Sequence, residues 1–400
     1  MSVSAQEGSP ATYHDEFSMV LGGPLFQLIC KSRLGDAALH LLRRRVIFAT
    51  MISWAPLLVL SLMGGHVGAP LKVPFVSDIE VHARFLLALP LLIIAELVVH
   101  QRTRPVVRHF IDRGLIPGAF RGRFNASIDS ALRLRNSVTA EVALLVLVYA
   151  VGMIFIRPRY VALDEPTWYS MPDATGQHLT LAGSWYVYVS LPLFQFMLLR
   201  WYFRIFIWIR FLWHVSRIPL SLVPTHPDRV AGLGFLSHTP VAFAPLLAAH
   251  GVVLAGFIAS QIFFHGMGLL DFKFELIAVV LFLLLLVLAP LLLFVPDLAA
   301  AKRIGLREYG TLAQKYVREF DSKWLRGGSP AGEPLLGSSD IQSLADMGNC
   351  FEFVRSIKIL PVTREGLVAL VAITLVPVAP LLLTMVPLDE LINRLLKVVL

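Results

Sequence analysis

Seven runs of mostly apolar residues, 46–64, 83–100, 138–156, 184–204, 241–264, 275–296 and 367–387, constrain this chain more than any motif in it. A hydrocarbon core about 30 Å thick is crossed by roughly 20 apolar residues of helix. Inside that core every backbone N–H and C=O must be paired within the segment, which leaves helices or closed barrels. The runs therefore predict an all-α, polytopic bundle of about seven transmembrane helices with a small helical layer on the cytoplasmic side. Composition excludes a soluble alternative: charged residues are 16% of the chain, against about 25% in soluble domains. Two cysteines, Cys30 and Cys350, exclude a disulfide scaffold and a four-cysteine metal site.

Orientation follows from lysine and arginine in the loops. With the N-terminus placed in the cytoplasm, 28 of the 35 Lys and Arg fall inside and 7 outside. The net charge of +8 is then a topology signal, and it asks for no nucleic-acid partner. The polar leader 1–45 is too long for a cleavable signal and no small-residue cleavage site follows the first run, so that run reads as a retained span. Trp185, Tyr186 and Tyr188 mark the outer end of the fourth span, and Trp201, Tyr202, Trp208 and Trp213 its inner end, as interfacial aromatics do. The helical pattern runs on to about Arg217, beyond the membrane.

Four regions result: a cytoplasmic segment 1–45, spans one to six over 46–296, a cytoplasmic helical segment 297–366, and the last span with an outer amphipathic tail over 367–400. Within 297–366, Tyr309, Ala313, Tyr316, Phe320 and Trp324 form a helical stripe that prolongs the sixth span. Glycines and prolines from Gly327 to Pro334 break it, and Ser339-Asp340-Ile341-Gln342 reads as a capping box opening a helix that Pro361 ends. Proline lies in six of the seven runs, which suits kinked helices but is also common in membrane helices generally.

Three stretches carry a family likeness: Pro224-Thr-His-Pro-Asp-Arg-Val-Ala-Gly-Leu-Gly-Phe-Leu236, Gly305-Leu-Arg-Glu-Tyr-Gly310 running on to Lys323-Trp-Leu-Arg-Gly327, and Glu333 to Asp346. They resemble a family of uncharacterised bacterial multi-spanning inner-membrane proteins. The resemblance implies a bacterial inner (plasma) membrane location, and it transfers no activity and no catalytic residue.

Enzyme motifs are missing: the sequence holds no nucleophile elbow, P-loop, zincin helix, C-x-x-C or dinucleotide fingerprint, and no cofactor is implied. His214, His226, His238 and His250 recur every twelve residues, which on a helix sets neighbours about 18 Å apart on different faces and so is no metal spacing. Charge within the apolar runs is the sharper signal, because an ionisable group in hydrocarbon is costly and pairs or works. Glu96, Glu141 and Arg200 all come out roughly 6–8 Å from the inner edge by helix rise. Arg204, one turn from Arg200, either joins that layer or snorkels to the surface. His250 and Gln195 are expected near the midplane, with Gln261 nearer the outer face. On the inner loop His226, Asp228 and Arg229 form either an acid–base or phosphate-gripping set, or a turn whose aspartate caps the next helix.

The leading reading is passage of a small solute or ion as a channel or transporter. Its rivals are an enzyme acting on a phosphate-bearing lipid at the inner leaflet, and a receptor or assembly scaffold docking through 298–324 and 339–360. The bilayer is the expected partner, with a homo-oligomer open.

Overall fold

The computed structural model describes residues 17–20, 22–23, 42–68, 71–152, 154, 166–173, 176–330, 332–335 and 337–385. These form ten principal helices: α1 (Leu42–Met63), α2 (Ile79–Asp112), α3 (Arg121–Arg135), α4 (Val138–Val151), α5 (Leu181–Ser216), α6 (Ala244–His265), α7 (Lys273–Leu292), α8 (Val295–Phe320), α9 (Ser339–Arg355) and α10 (Arg364–Met385). Between α4 and α5 one antiparallel hairpin pairs β1 (Ser170–Asp173) with β2 (Gly176–Leu179), Ser170 opposite Leu179. The apolar periodicity had not marked that hairpin.

Six helices, α1, α2, α5, α6, α7 and α10, are long and apolar enough to cross a membrane. The protein is thus a helical, multi-pass membrane protein. A seventh crossing arises if α3 and α4, bent by 44° at their junction, count as one span. The expected run 138–156 is described as helix to Val151, and its remainder lies largely outside the described residues.

Burial separates centre from periphery. About half of each apolar window in α2, α5 and α6 is buried (56%, 44% and 50%), against 17–22% in α1, α7 and α10. The peripheral helices turn Phe48, Met51, Val59, Phe274, Leu281 and Val368 outward. An apolar outer belt of this kind is stable only against lipid.

Close helix contacts rest on small residues, because in lipid the helices associate through packing. A Cβ added at Gly256 of α6 would stand 2.8 Å from the Cβ of Ala83 on α2, and one at Gly251 2.1 Å from the Thr374 carbonyl of α10. Proline supplies a second device. It has no N–H, so the carbonyl four residues earlier is left for another donor. Pro56 frees Ile52, whose carbonyl accepts from Trp185 Nε1 at 3.2 Å; Pro192 frees Tyr188, whose carbonyl accepts from Tyr149 Oη at 3.2 Å. Widened, π-helical turns at Ala83–Ala88 and Tyr186–Ser190 stand just before Pro90 and Pro192 and relieve the ring's clash with the preceding turn.

Several boundaries differ from the sequence reading. The second span extends to Asp112, well past residue 100, because Arg102, Arg104 and Arg108 continue it as an amphipathic helix beyond the apolar run. Helix α8 does not prolong α7; the chain breaks at Leu293–Phe294 and α8 starts afresh with Pro296 in its first turn, where a missing N–H costs nothing. Ser338, rather than Ser339, caps α9, its hydroxyl accepting from the Asp340 amide at 3.1 Å. That helix ends at Arg355, six residues before Pro361. α8 and α9 pack on each other, pinned by Lys323 and Trp324 Nε1 on Asp340 Oδ2 at 2.8 and 3.0 Å. Part of the leader belongs to the core: Phe17, Met19 and Val20 are buried, with Phe17 against Trp208 and Phe211. The tail 388–400 lies outside the described residues.

Candidate functional site

A buried charge cluster joins α1, α2, α4 and α5 toward the end of the bundle where α8 and α9 lie. Glu96 of α2, with no solvent exposure, stands at its centre. Its Oε2 accepts from Arg45 of α1, while its Oε1 lies 2.8 Å from Arg204 Nη1 and 3.4 Å from Arg200 Nη1. The Arg204 contact is an ion pair off the hydrogen-bond axis, and its guanidinium also stacks over Trp201 at 4.9 Å. Arg200 Nε reaches Glu141 Oε1 of α4 at 3.3 Å.

The structure thus brings together Glu96, Glu141, Arg200 and Arg204 as one network. Arg204 is buried rather than snorkelling. Sequence reasoning missed Arg45, because Arg43-Arg44-Arg45 looked like a uniform topology signal. On α1, however, Arg43 and Arg44 are exposed and Arg45 is buried. The available signal was register: Arg45 continues the inward stripe of Ser53, Leu57 and Ser61, spaced by multiples of four.

The leader strap closes this end. Arg135 at the end of α3 donates to the Ser18 carbonyl at 2.5 Å, and Asn136 Oδ1 accepts from the Gly23 amide at 3.0 Å. A Cβ at Gly23 would sit 3.0 Å from Glu141 Oε1, and with φ at +92° the position favours glycine twice over. His100 Nδ1 meets Ser18 Oγ at 2.9 Å.

The midplane residues do not join the cluster. His250 is held at both ring nitrogens, Nδ1 by the Leu246 carbonyl at 2.8 Å and Nε2 by Tyr202 Oη at 2.7 Å. That is an interhelical tie between α6 and α5. Gln195 is half-buried on α5 and makes no hydrogen bond to His250. Gln261 lines a separate cavity of about 260 Å³ at the opposite end, beside Asp78, Glu80 and His265.

The inner-loop trio is arranged as an anchor. Asp228 accepts from the amides of Val230 (2.9 Å), Gly232 (3.1 Å) and Gly234 (2.8 Å), and its Oδ1 lies 3.0 Å from His226 Nδ1. Burial opposes its ionisation, but the three amides and His226 outweigh that and hold the carboxyl below its ordinary range. These bonds stabilise left-handed conformations at Arg229 and Ala231 (φ +56° and +54°), and the Arg229 side chain faces solvent. The expected helix cap is therefore a loop clamp: Leu233, not Asp228, precedes the 3₁₀ turn at Gly234.

No family model, curated protein or solved structure matches the chain.

Proposed function

We propose that this multi-pass membrane protein passes a small ion or solute, with an anion favoured, along a path that includes the Arg45–Glu96–Arg200–Glu141 cluster, and that it works in a bacterial inner membrane with its basic end cytoplasmic. What supports this is charge imbalance. Arg45, Arg200 and Arg204 face two carboxylates, and Nη1 of Arg45 is buried without a hydrogen-bond partner among the described residues. A cluster serving only to tie helices gains nothing from a surplus cation in hydrocarbon. An anion arriving beside Arg45 would complete it. The strap formed by residues 17–20 and 22–23 lies on the route, so passage requires that it shift.

Flux from liposomes separates this role from a structural knot. Arg45→Gln removes the surplus cation and leaves Glu96 two arginine partners. It should reduce anion flux at least about tenfold, equivalent to about 1.4 kcal/mol, while the unfolding midpoint in detergent falls less than in Glu96→Gln, which leaves Arg45 and Arg204 unpaired. Wild-type liposomes that release chloride and potassium no faster than empty ones would end the transport reading.

A further inference from the structure

A second site opens where α2 leaves the apolar run. Its cleft, of about 710 Å³, has three walls: the end of α2, the clamped loop after Asp228, and the segment leading into α10. This volume lies within the roughly 300–1,000 Å³ of organic-ligand pockets. The last two walls are tied to each other, since the Lys358 amide donates to the Arg229 carbonyl at 2.8 Å, and Lys302 Nζ of α8 anchors the third by donating to the Ile357 carbonyl at 2.8 Å.

Its chemistry is one-sided. Arg102, Arg113 and Lys358 line it, and none of the three is in an ion pair among the described residues. The one carboxylate in its lining, Asp228, is already taken by the three loop amides. Thr363, the N-cap of α10, also lines the cleft and brings the positive end of that helix to it. A second observation is independent of charge. Thr239 lines the same cleft, is 4% exposed, and its hydroxyl has no hydrogen-bond partner among the described residues. A buried hydroxyl left unpaired is costly, and a ligand oxygen would recover that cost. Val106, Phe235 and Pro361 supply an apolar floor, and Arg113 stacks over Phe235 at 5.2 Å.

We infer that this cleft binds a phosphate ester, with Arg102, Arg113 and Lys358 pairing its charge and Thr239 donating to one of its oxygens. The phosphate can come from a lipid headgroup or from a soluble organic phosphate. The cleft begins at Gln101, where the apolar run of α2 stops, so it stands at the depth where headgroups lie. None of the residues of the transport cluster lines this cleft.

Full-length protein tests it with two probes. Native mass spectrometry reads retention of dioleoyl phosphatidylglycerol against a phosphate-free galactosyl diacylglycerol, and calorimetry reads binding of glycerol 3-phosphate. In the triple variant Arg102→Gln, Arg113→Gln, Lys358→Gln, affinity should fall at least about tenfold. Arg307→Gln, Lys315→Gln, Arg318→Gln, which removes the same charge from the exposed face of α8, should leave affinity unchanged. Thr239→Val should weaken binding and Thr239→Ser restore it, with circular dichroism confirming the helical fold throughout. Charge-dependent retention of phosphatidylglycerol alone identifies a lipid headgroup; charge-dependent binding of glycerol 3-phosphate alone identifies a soluble ester. Equal affinity in the two triple variants, or equal retention of the phosphate-free lipid, overturns the inference.

Discussion

Glu96 accepts ion pairs from three guanidiniums, whereas Arg200 is the arginine that meets Glu141. Neutralising Glu96 leaves Arg45 and Arg204 without a carboxylate and Arg200 with Glu141 alone, and breaking a buried pair costs about 3–5 kcal/mol. Glu96→Gln should therefore lower unfolding free energy in mixed micelles by that order, and by more than Glu141→Gln. Adding Arg204→Gln should return part of the loss, because fewer unpaired charges remain; equal losses at the two glutamates would show that the cluster has another centre. Asp228 answers to pH. Its folded-state pKa lies below the unfolded one, so its contribution is complete above the unfolded value and is lost as pH falls through the folded value. Amide exchange at Val230, Gly232 and Gly234 should stay slow down to about pH 4 and quicken only below it. Asp228→Asn should show quick exchange at neutral pH. The charged layer was legible in the sequence because ionisable residues are conspicuous in apolar runs. Arg45 was not, because three adjacent arginines differ only in rotation about α1.

At the scale of elements, the prolines act as joints between helices. Pro56 leaves the Ile52 carbonyl to Trp185, and Pro192 leaves the Tyr188 carbonyl to Tyr149. Interhelical hydrogen bonds in membrane proteins average about 0.6 kcal/mol, so Trp185→Phe should cost about that much. In a Pro56→Ala background the cost should shrink, since the new amide at position 56 takes the Ile52 carbonyl. A double-mutant cycle measures the difference, and an unchanged cost would mean that the indole bond does not depend on the proline. Reading the prolines in the sequence leaves kinks and background frequency undivided. The partner donors lie on other helices, so only packing reveals them.

For the whole molecule, the alternation of spans sets the hairpin β1–β2 at one end and α8 with α9 at the other. In a variant with Cys30 and Cys350 changed to serine, a cysteine at Asp173 should react with an impermeant maleimide in intact cells. One at Ser329 should react only after the membrane is opened. Reversed labelling would invert the bundle and place both the basic cleft and the strap outside.

What the sequence determined by itself is the number and length of the apolar segments, and hence a helical membrane bundle. Hydrocarbon demands locally paired backbone groups, and local pairing is a property of each segment alone. It also placed Glu96, Glu141 and Arg200 in one layer, since depth follows from helix rise. Tertiary structure decided the rest. Rotation about each axis chose Arg45 over Arg43 and Arg44, seated Phe17 to Val20 beneath the cluster, and gathered Arg102, Arg113, Thr239 and Lys358 around one cleft. Those residues come from segments far apart in the chain, and no periodicity within one segment records which neighbour its face will meet.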